Sequence, residues 1–392
     1  MNDRFGKLDD ALTEAGVAGY LLDSDGTNAN QRYLAAFHAP DDYLTLYHEG
    51  DINLLVRGLE RSRAVRESRA NSVQTPADYD FDMLLDDLGV YRAEIEVSRR
   101  FLADFEIDSV LVPHQFPIGR AEGLREGGIT VKIDETDVIN EIRAIKSADE
   151  IDAIRRAQRA TERAMATAES MLAEAAISED RILTVAGEPL TSERVRSEIS
   201  HSLLDDGCVA TNTIVAGGSQ AADPHDRGCG PLRANEPIVI DIFPVDERSG
   251  YHADMTRTLA VGEVSKQFQR WYELILDAQQ AAFNVLEPGV TGKTVHEAVC
   301  AVLEDDGLPT AGTDPSTAIG FTHGTGHGVG LDVHESPRLS TTGTSPLQAG
   351  HVVTVEPGLY DPAVGGIRIE DLVVITDSGY ENLTQYDKKL VI

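Results

Sequence analysis

A chain of 392 residues, 41% of them hydrophobic, is too long for one ordinary core and has the apolar content for two. Its formal net charge is −32, from 66 acidic against 34 basic residues, and such a surface repels DNA, RNA and anionic lipid. Nucleic-acid and membrane-surface partners are therefore not expected. No apolar run approaches the roughly 20 residues of a membrane helix, and residues 1–10 are too charged for a signal peptide, so the expected location is cytoplasmic.

Residues 5–16 have the spacing of a short amphipathic helix, and residues 17–22 that of a buried strand stopping at Asp23-Ser24-Asp25-Gly26. Residues 43–47 and 52–56 alternate about Glu49-Gly50-Asp51, a hairpin signal. Helices are predicted at 83–88 and 98–105, strands at 109–113 and 129–133. Residues 1–142 are thus expected to form a mixed α/β domain that shapes access to a site or mediates subunit contact. From 134 to 176, isoleucine and alanine recur at helical spacing, with Ser147 and Glu150 spaced as a capping box where a second helix restarts. The boundary falls near Arg143, and residues 143–392 make the second domain. Cys208, Cys229 and Cys300 are odd in number and match no metal spacing, so they are read as small buried apolar residues.

The second domain repeats itself. Thr191, Val195, Ile199, Leu203 and Asp205-Asp206-Gly207 recur a hundred residues on as Thr291, Val295, Val299, Leu303 and Asp305-Asp306-Gly307. Each copy reads as a helix with a glycine stop, after a longer helix and before apolar strands. The duplication also pairs acids. Strand 237–243 holds Asp241 and strand 253–261 holds Asp254; strand 351–355 leads into Glu356, and strand 366–376 holds Glu370, with offsets of 115 and 116 residues. Two acids per half would converge on a pseudo-twofold axis.

A carboxylate within Ile-Val-Ile-Asp-Ile-Phe must be paired, protonated or bound to metal, because an isolated buried charge is too costly. Arg257 and Arg368 are candidate partners, and the alternative is cation binding. Residues 321–335 supply histidines for it: His323, His327 and His334 lie among glycines whose bare backbone can approach a ligand or an ion. With His327, the four acids suit two divalent ions roughly 3.5–4 Å apart.

Asp241, Asp254, His327, Glu356 and Glu370, within Asp-Met-Thr-Arg-Thr, Gly-His-Gly-Val-Gly-Leu-Asp-Val-His-Glu, Val-Glu-Pro-Gly-Leu-Tyr and Gly-Ile-Arg-Ile-Glu-Asp, resemble the pita-bread metallopeptidases, most closely the two-domain proline-specific members, prolidase and aminopeptidase P. The resemblance spans the second domain and touches the first only through its size, Arg32-Tyr33-Leu34 and the linker Ile145-Lys146-Ser147. Phe243 departs from it, standing where the family often has glycine, and would narrow the pocket floor.

The resemblance implies an α/β (α+β) chain with a creatinase/prolidase-like N-terminal domain and a pita-bread catalytic domain. It implies that Asp241 chelates one ion, that His327 and Glu356 hold the other, and that Asp254 and Glu370 bridge them around a hydroxide nucleophile, with Glu356 taking up its proton. It further implies that His225, His323 and His334 stabilise the oxyanion and protonate the leaving nitrogen, and that Arg368 pairs with Asp241, binds a substrate carboxylate or balances charge. The implied substrate is a small peptide with proline second, cleaved as an Xaa-Pro dipeptide or at the N-terminus of a longer peptide, by a homodimer. Manganese or cobalt suits the oxygen-rich ligand set, with zinc or iron as alternatives. Two other readings belong to the same scaffold: a non-peptidase hydrolase or lyase, and a non-catalytic peptide-binding module. Relatives used in those ways tend to have altered ligands, whereas all five stand here. A methionine aminopeptidase would not need the first domain.

Arginine far outnumbers lysine in this acid-rich chain, the balance of a protein kept soluble in high salt, so a halophilic source is expected. At low ionic strength the like charges are unscreened and repel. Thermal melting should therefore shift upward steeply as potassium chloride rises from dilute buffer to molar concentrations. An unchanged melting temperature across that series would contradict the reading.

Overall fold

A computed structural model describes residues 5–314 and 317–392, and the chain divides into two units, Met1–Arg143 and Ala144–Ile392. Residues 1–4, the start of the charged stretch 1–10, lie outside the described residues. In the first unit six strands form one mixed sheet in the order Ser72–Gln74, Asp51–Leu55, Tyr43–His48, Gly19–Ser24, Ser109–Pro113, Thr130–Asp134. The hairpin forms as the alternation predicts. His48 pairs with Asp51 across Glu49 and Gly50, at φ 50° and 86°, two left-handed residues whose twist matches that of the flanking strands.

Helix Gly6–Ala15 also lies where expected, but the helix expected at 98–105 runs from Val90 to Ala103. Its first two turns bury only Ala93 and Val97 among charged residues, too faint a stripe to extend the prediction. Helices Ala29–Ala35, Arg61–Glu67 and Ile118–Glu126 escape sequence reading for the same reason: each is short and rich in charged or polar residues.

The second unit is built twice. Helix Ala148–Ala173 starts at the Ser147–Glu150 capping box, where the Ser147 N–H and hydroxyl both donate to Glu150 Oε2 at 2.7 Å. It packs with helix Ser192–Asp205; in the second half Lys266–Val285 packs with Gly292–Asp305. Thr191 and Thr291 cap the two shorter helices through their hydroxyls, and Gly207 and Gly307 end them in the left-handed conformation. Val195, Ile199 and Leu203 enter one core, and Val295, Val299 and Leu303 another.

Each half sets an inner strand pair beneath its helices. Ile238–Ile242 lies antiparallel to Met255–Leu259, and Val352–Val355 to Asp371–Thr376. The strand expected over 366–376 is broken: Gly365–Arg368 pairs with Gly358–Asp361, whereas Asp371–Thr376 pairs with Val352–Val355. The chain changes sheets at Ile369 and Glu370, and the backbone N–H of Glu370 donates instead to Thr256 O at 3.1 Å. Cys208 and Cys300 are buried, but Cys229 is exposed on an irregular segment, contrary to its sequence reading. Among the described residues no helix is long and apolar enough to cross a membrane.

Thr191→Ala and Thr291→Ala are each expected to cost about 1 kcal/mol of unfolding free energy. Because the two caps belong to separate cores, the double variant should lose about the sum in urea denaturation. Losses far from additive would show that the halves do not carry independent caps.

Candidate metal centre

The two inner strand pairs and the glycine-rich stretch converge on one cavity of about 550 Å³. All five predicted ligands line it, together with His225, His323, His334 and Arg368. Asp241 projects from Ile238–Ile242 and Asp254 precedes Met255–Leu259; Glu356 follows Val352–Val355, and Glu370 occupies the junction between sheets. His327 sits in the short strand Gly326–Gly328. The glycines around it meet protein rather than ligand: a Cβ on Gly326 would lie 2.0 Å from Thr354 O, and one on Gly328 would lie 2.1 Å from Ser336 O. Their bareness lets this strand close against its neighbours, which aims His327 inward.

Asp254, His327 and Glu370 each offer a ligand atom within 4.8 Å of the others, close enough to hold a metal ion together. His327 Nδ1 lies 3.1 Å from Gly328 O, which can only accept, so Nδ1 carries a proton. That leaves Nε2 facing Glu356 Oε1 at 3.3 Å and Asp254 Oδ2 at 3.8 Å. Between such partners Nε2 must present a proton or share a cation.

Asp241 Oδ2 pairs with Arg368 Nη2 at 2.6 Å, while Asp241 Oδ1 is buried with no hydrogen-bond partner among the described residues. Arg257 does not reach the acids' side chains; it pairs with Asp371 at 2.9 Å. The arginine alternative thus accounts for one carboxylate oxygen in the cavity. An orphaned Oδ1 beside three further acids fits a divalent cation, the hard ion such oxygens select.

The electrostatics agree. Burial, then the charges of Glu370, Asp241 and Glu356, push the Asp254 carboxyl well above the usual carboxylate range. Glu370 is driven the same way by burial and by Glu356 and Asp241. Asp241 is also raised by burial, with Arg368 opposing. For Glu356, burial pushes upward but is outweighed by the His327 hydrogen bond and by the charges of His327, His323 and Arg368, which bring it down to about 2. A cluster that cannot all ionise unaided is a cluster that wants cations.

The remaining histidines differ in freedom. His323 Nδ1 donates to Gly324 O at 2.7 Å, and Nε2 lies 2.9 Å from the Tyr360 hydroxyl, which itself lies 3.1 Å from Arg368 Nη1. Both of its nitrogens are engaged, so His323 orders Tyr360 instead of facing the cavity unpaired. His334 stacks edge-on to His327 with ring centroids 4.3 Å apart, and burial together with the His327 charge lowers it to about 4. His225 is exposed at the cavity. Phe243 does line the pocket.

Sequence reading passed over three participants. Tyr360 is buried at 1% exposure and a Cβ on Gly358 would strike its hydroxyl, a constraint hidden inside Pro-Gly-Leu-Tyr. The Thr256 hydroxyl donates to Glu370 Oε2 at 2.8 Å and accepts from Arg368 Nε at 3.1 Å; its place two residues after Asp254, on the same strand face, was a usable signal. Arg338 also lines the cavity, and its guanidinium makes no hydrogen bond or ion pair among the described residues. It stands opposite His327 in the strand register.

Comparison with known proteins gives a consistent result. A model of metallopeptidase family M24 matches residues 152–377. An uncharacterized peptidase of Staphylococcus aureus is 34% identical over 253 residues, 64% of this chain and 65% of that protein, so the match spans just under two thirds of that relative. A prolidase from Pyrococcus horikoshii superposes with a TM-score of 0.81 at 26% identity, covering 99% of this chain and 100% of its own. A dipeptidase from Mycobacterium ulcerans does so at 0.75 and 28%, covering 99% and 97%. The duplicated unit has the pita-bread fold these likenesses carry, following a mixed α/β unit. With more than half its length matched by the family model and the five predicted acid and imidazole ligands lining one cavity, the chain belongs to metallopeptidase family M24.

Proposed function

We propose that this protein is a two-metal exopeptidase that hydrolyses the bond before proline in Xaa-Pro dipeptides. One observation carries the reading: among the described residues four carboxylates share a cavity with a single paired guanidinium, and Asp241 Oδ1 is left buried and unpartnered. Asp241, Asp254, His327, Glu356 and Glu370 would together hold two divalent ions. When bound, such ions supply Lewis acidity toward a carbonyl oxygen and acidify water. Manganese or cobalt suits the donor set best.

The chain's own groups do the rest. Glu356, kept ionised, takes the proton given up by the attacking water. His334, held neutral near pH 7, donates a hydrogen bond to the carbonyl oxygen as charge develops there. His225 delivers a proton to the leaving proline nitrogen. His323 contributes indirectly, by holding Tyr360 against Arg368, and Arg368 in turn fixes Asp241. Ile214, Pro224, Phe243 and Val333 provide apolar walls suited to a pyrrolidine ring.

Arg338 supports a dipeptide over a longer chain. An unpaired guanidinium in the cavity wall of so acidic a protein is suited to a carboxylate, and a dipeptide ends in one directly after its proline. A homodimer is the expected assembly on general frequency.

Metal-loaded protein should cleave Xaa-Pro dipeptides and leave Xaa-Ala controls intact; turnover confined to Xaa-Pro-Yaa peptides would instead select an aminopeptidase. Asp254→Asn and His327→Ala should lose activity by several orders of magnitude with unchanged circular dichroism. Removing the carboxylate anchor with Arg338→Met should raise the dipeptide KM about tenfold or more, with kcat little altered. An unchanged KM would remove Arg338 from substrate binding.

A further inference from the structure

The acids that line the cavity are held from behind by a segment that the sequence leaves anonymous. Residues 382–388 lie beyond the 152–377 family match. They cross the backs of both long helices and both inner strand pairs, and each half presents a buried glutamine to them. Gln158, at 0% exposure on Ala148–Ala173, accepts from the Asp254 N–H at 3.3 Å and donates to the Thr384 hydroxyl at 2.9 Å. Gln279, at 1% exposure on Lys266–Val285, donates to Val355 O at 2.8 Å and Ile369 O at 3.4 Å, the carbonyls just before Glu356 and Glu370. Its own oxygen accepts from Lys388 Nζ at 2.6 Å.

Arg257 completes the arrangement. All five of its N–H donors are used: on Asp387 O at 3.1 Å, Tyr386 O at 2.9 Å, Thr256 O at 2.9 Å, Glu370 O at 2.6 Å and Asp371 Oδ1 at 2.9 Å. Lys388 reaches the other Asp371 oxygen at 2.5 Å. These contacts matter because Glu370 lies between two sheets and no ladder fixes it; its backbone is held by Thr256 and by Arg257.

We propose that residues 382–388 form a strap that sets the spacing of the cavity acids, acting through Gln158, Gln279 and Arg257 as positioning residues for divalent-ion binding. The inference rests on the two-metal reading above. Groups behind metal ligands, when removed, cost affinity with little change in the ligands themselves.

The test is calorimetric titration of apo protein with manganese, run beside thermal melting and circular dichroism. Lys388→Met, in a side chain 25% exposed, should stay folded and bind manganese about tenfold or more weakly. Gln279→Leu should do the same, and Lys388→Arg, which keeps the cation, should restore binding. Lys293→Met removes an exposed lysine that pairs with Glu297 on helix Gly292–Asp305, away from the network, and should bind as the unaltered protein does. Equal affinity in Lys388→Met, Gln279→Leu and the unaltered protein would overturn the strap while leaving the metal centre standing. An unaltered protein that takes up no manganese would overturn the metal reading and the strap with it.

Discussion

Four carboxylates brought out of water into one cavity repel one another, and that repulsion governs how the second unit is built. Desolvation of a single ion already costs several kcal/mol after relaxation. Here Asp241, Asp254, Glu356 and Glu370 share a cavity with the buried Arg368, the His327 ring and, at its exposed wall, Arg338, too little positive charge to balance them. The fold spends capped helices, two cores and a saturated arginine on keeping them together. Such a cluster is relieved when something with more charge than a proton lies between its members.

The duplication explains how the cluster can be assembled at all. Each half supplies a rigid strand pair beneath a helix pair, and each strand pair supplies two acids. Asp241 lies within its strand, and Asp254 and Glu356 adjoin strand ends, which limits how far these acids can drift apart. The exception is Glu370 at the change of sheet, and there Thr256 and Arg257 take over from the ladder. Gly326 and Gly328 play the complementary part by letting the histidine strand approach closely enough to aim His327 inward.

Much of this was legible in the residues. Matched threonine caps and Asp-Asp-Gly stops announced paired helices because capping and helix termination are local chemistry, settled within a few residues. Asp241 stood out because a charge in an apolar strand has no cheap explanation. What could not be read was non-local. That the 366–376 strand breaks at Glu370 depends on which partner strands lie beside it, and hairpin pairing with Gly358–Asp361 is invisible in the residues of 366–376 alone. The same holds for His323, whose two nitrogens are spent on Gly324 and Tyr360, and for Arg338, which only the strand register sets opposite His327. Cys229 was misplaced because burial was inferred from residue type alone.

The separation of roles among similar side chains follows from their neighbours. Glu356 is kept ionised by His327, whereas Asp254 and Glu370 are pushed toward protonation by burial and by each other. The direct test of what resolves that conflict is an anomalous difference map from a crystal soaked in manganese. The account requires two peaks about 3.5–4 Å apart, with Asp254 and Glu370 touching both. A map without peaks there, with the acids turned away from one another or neutralised by an arginine, would contradict it.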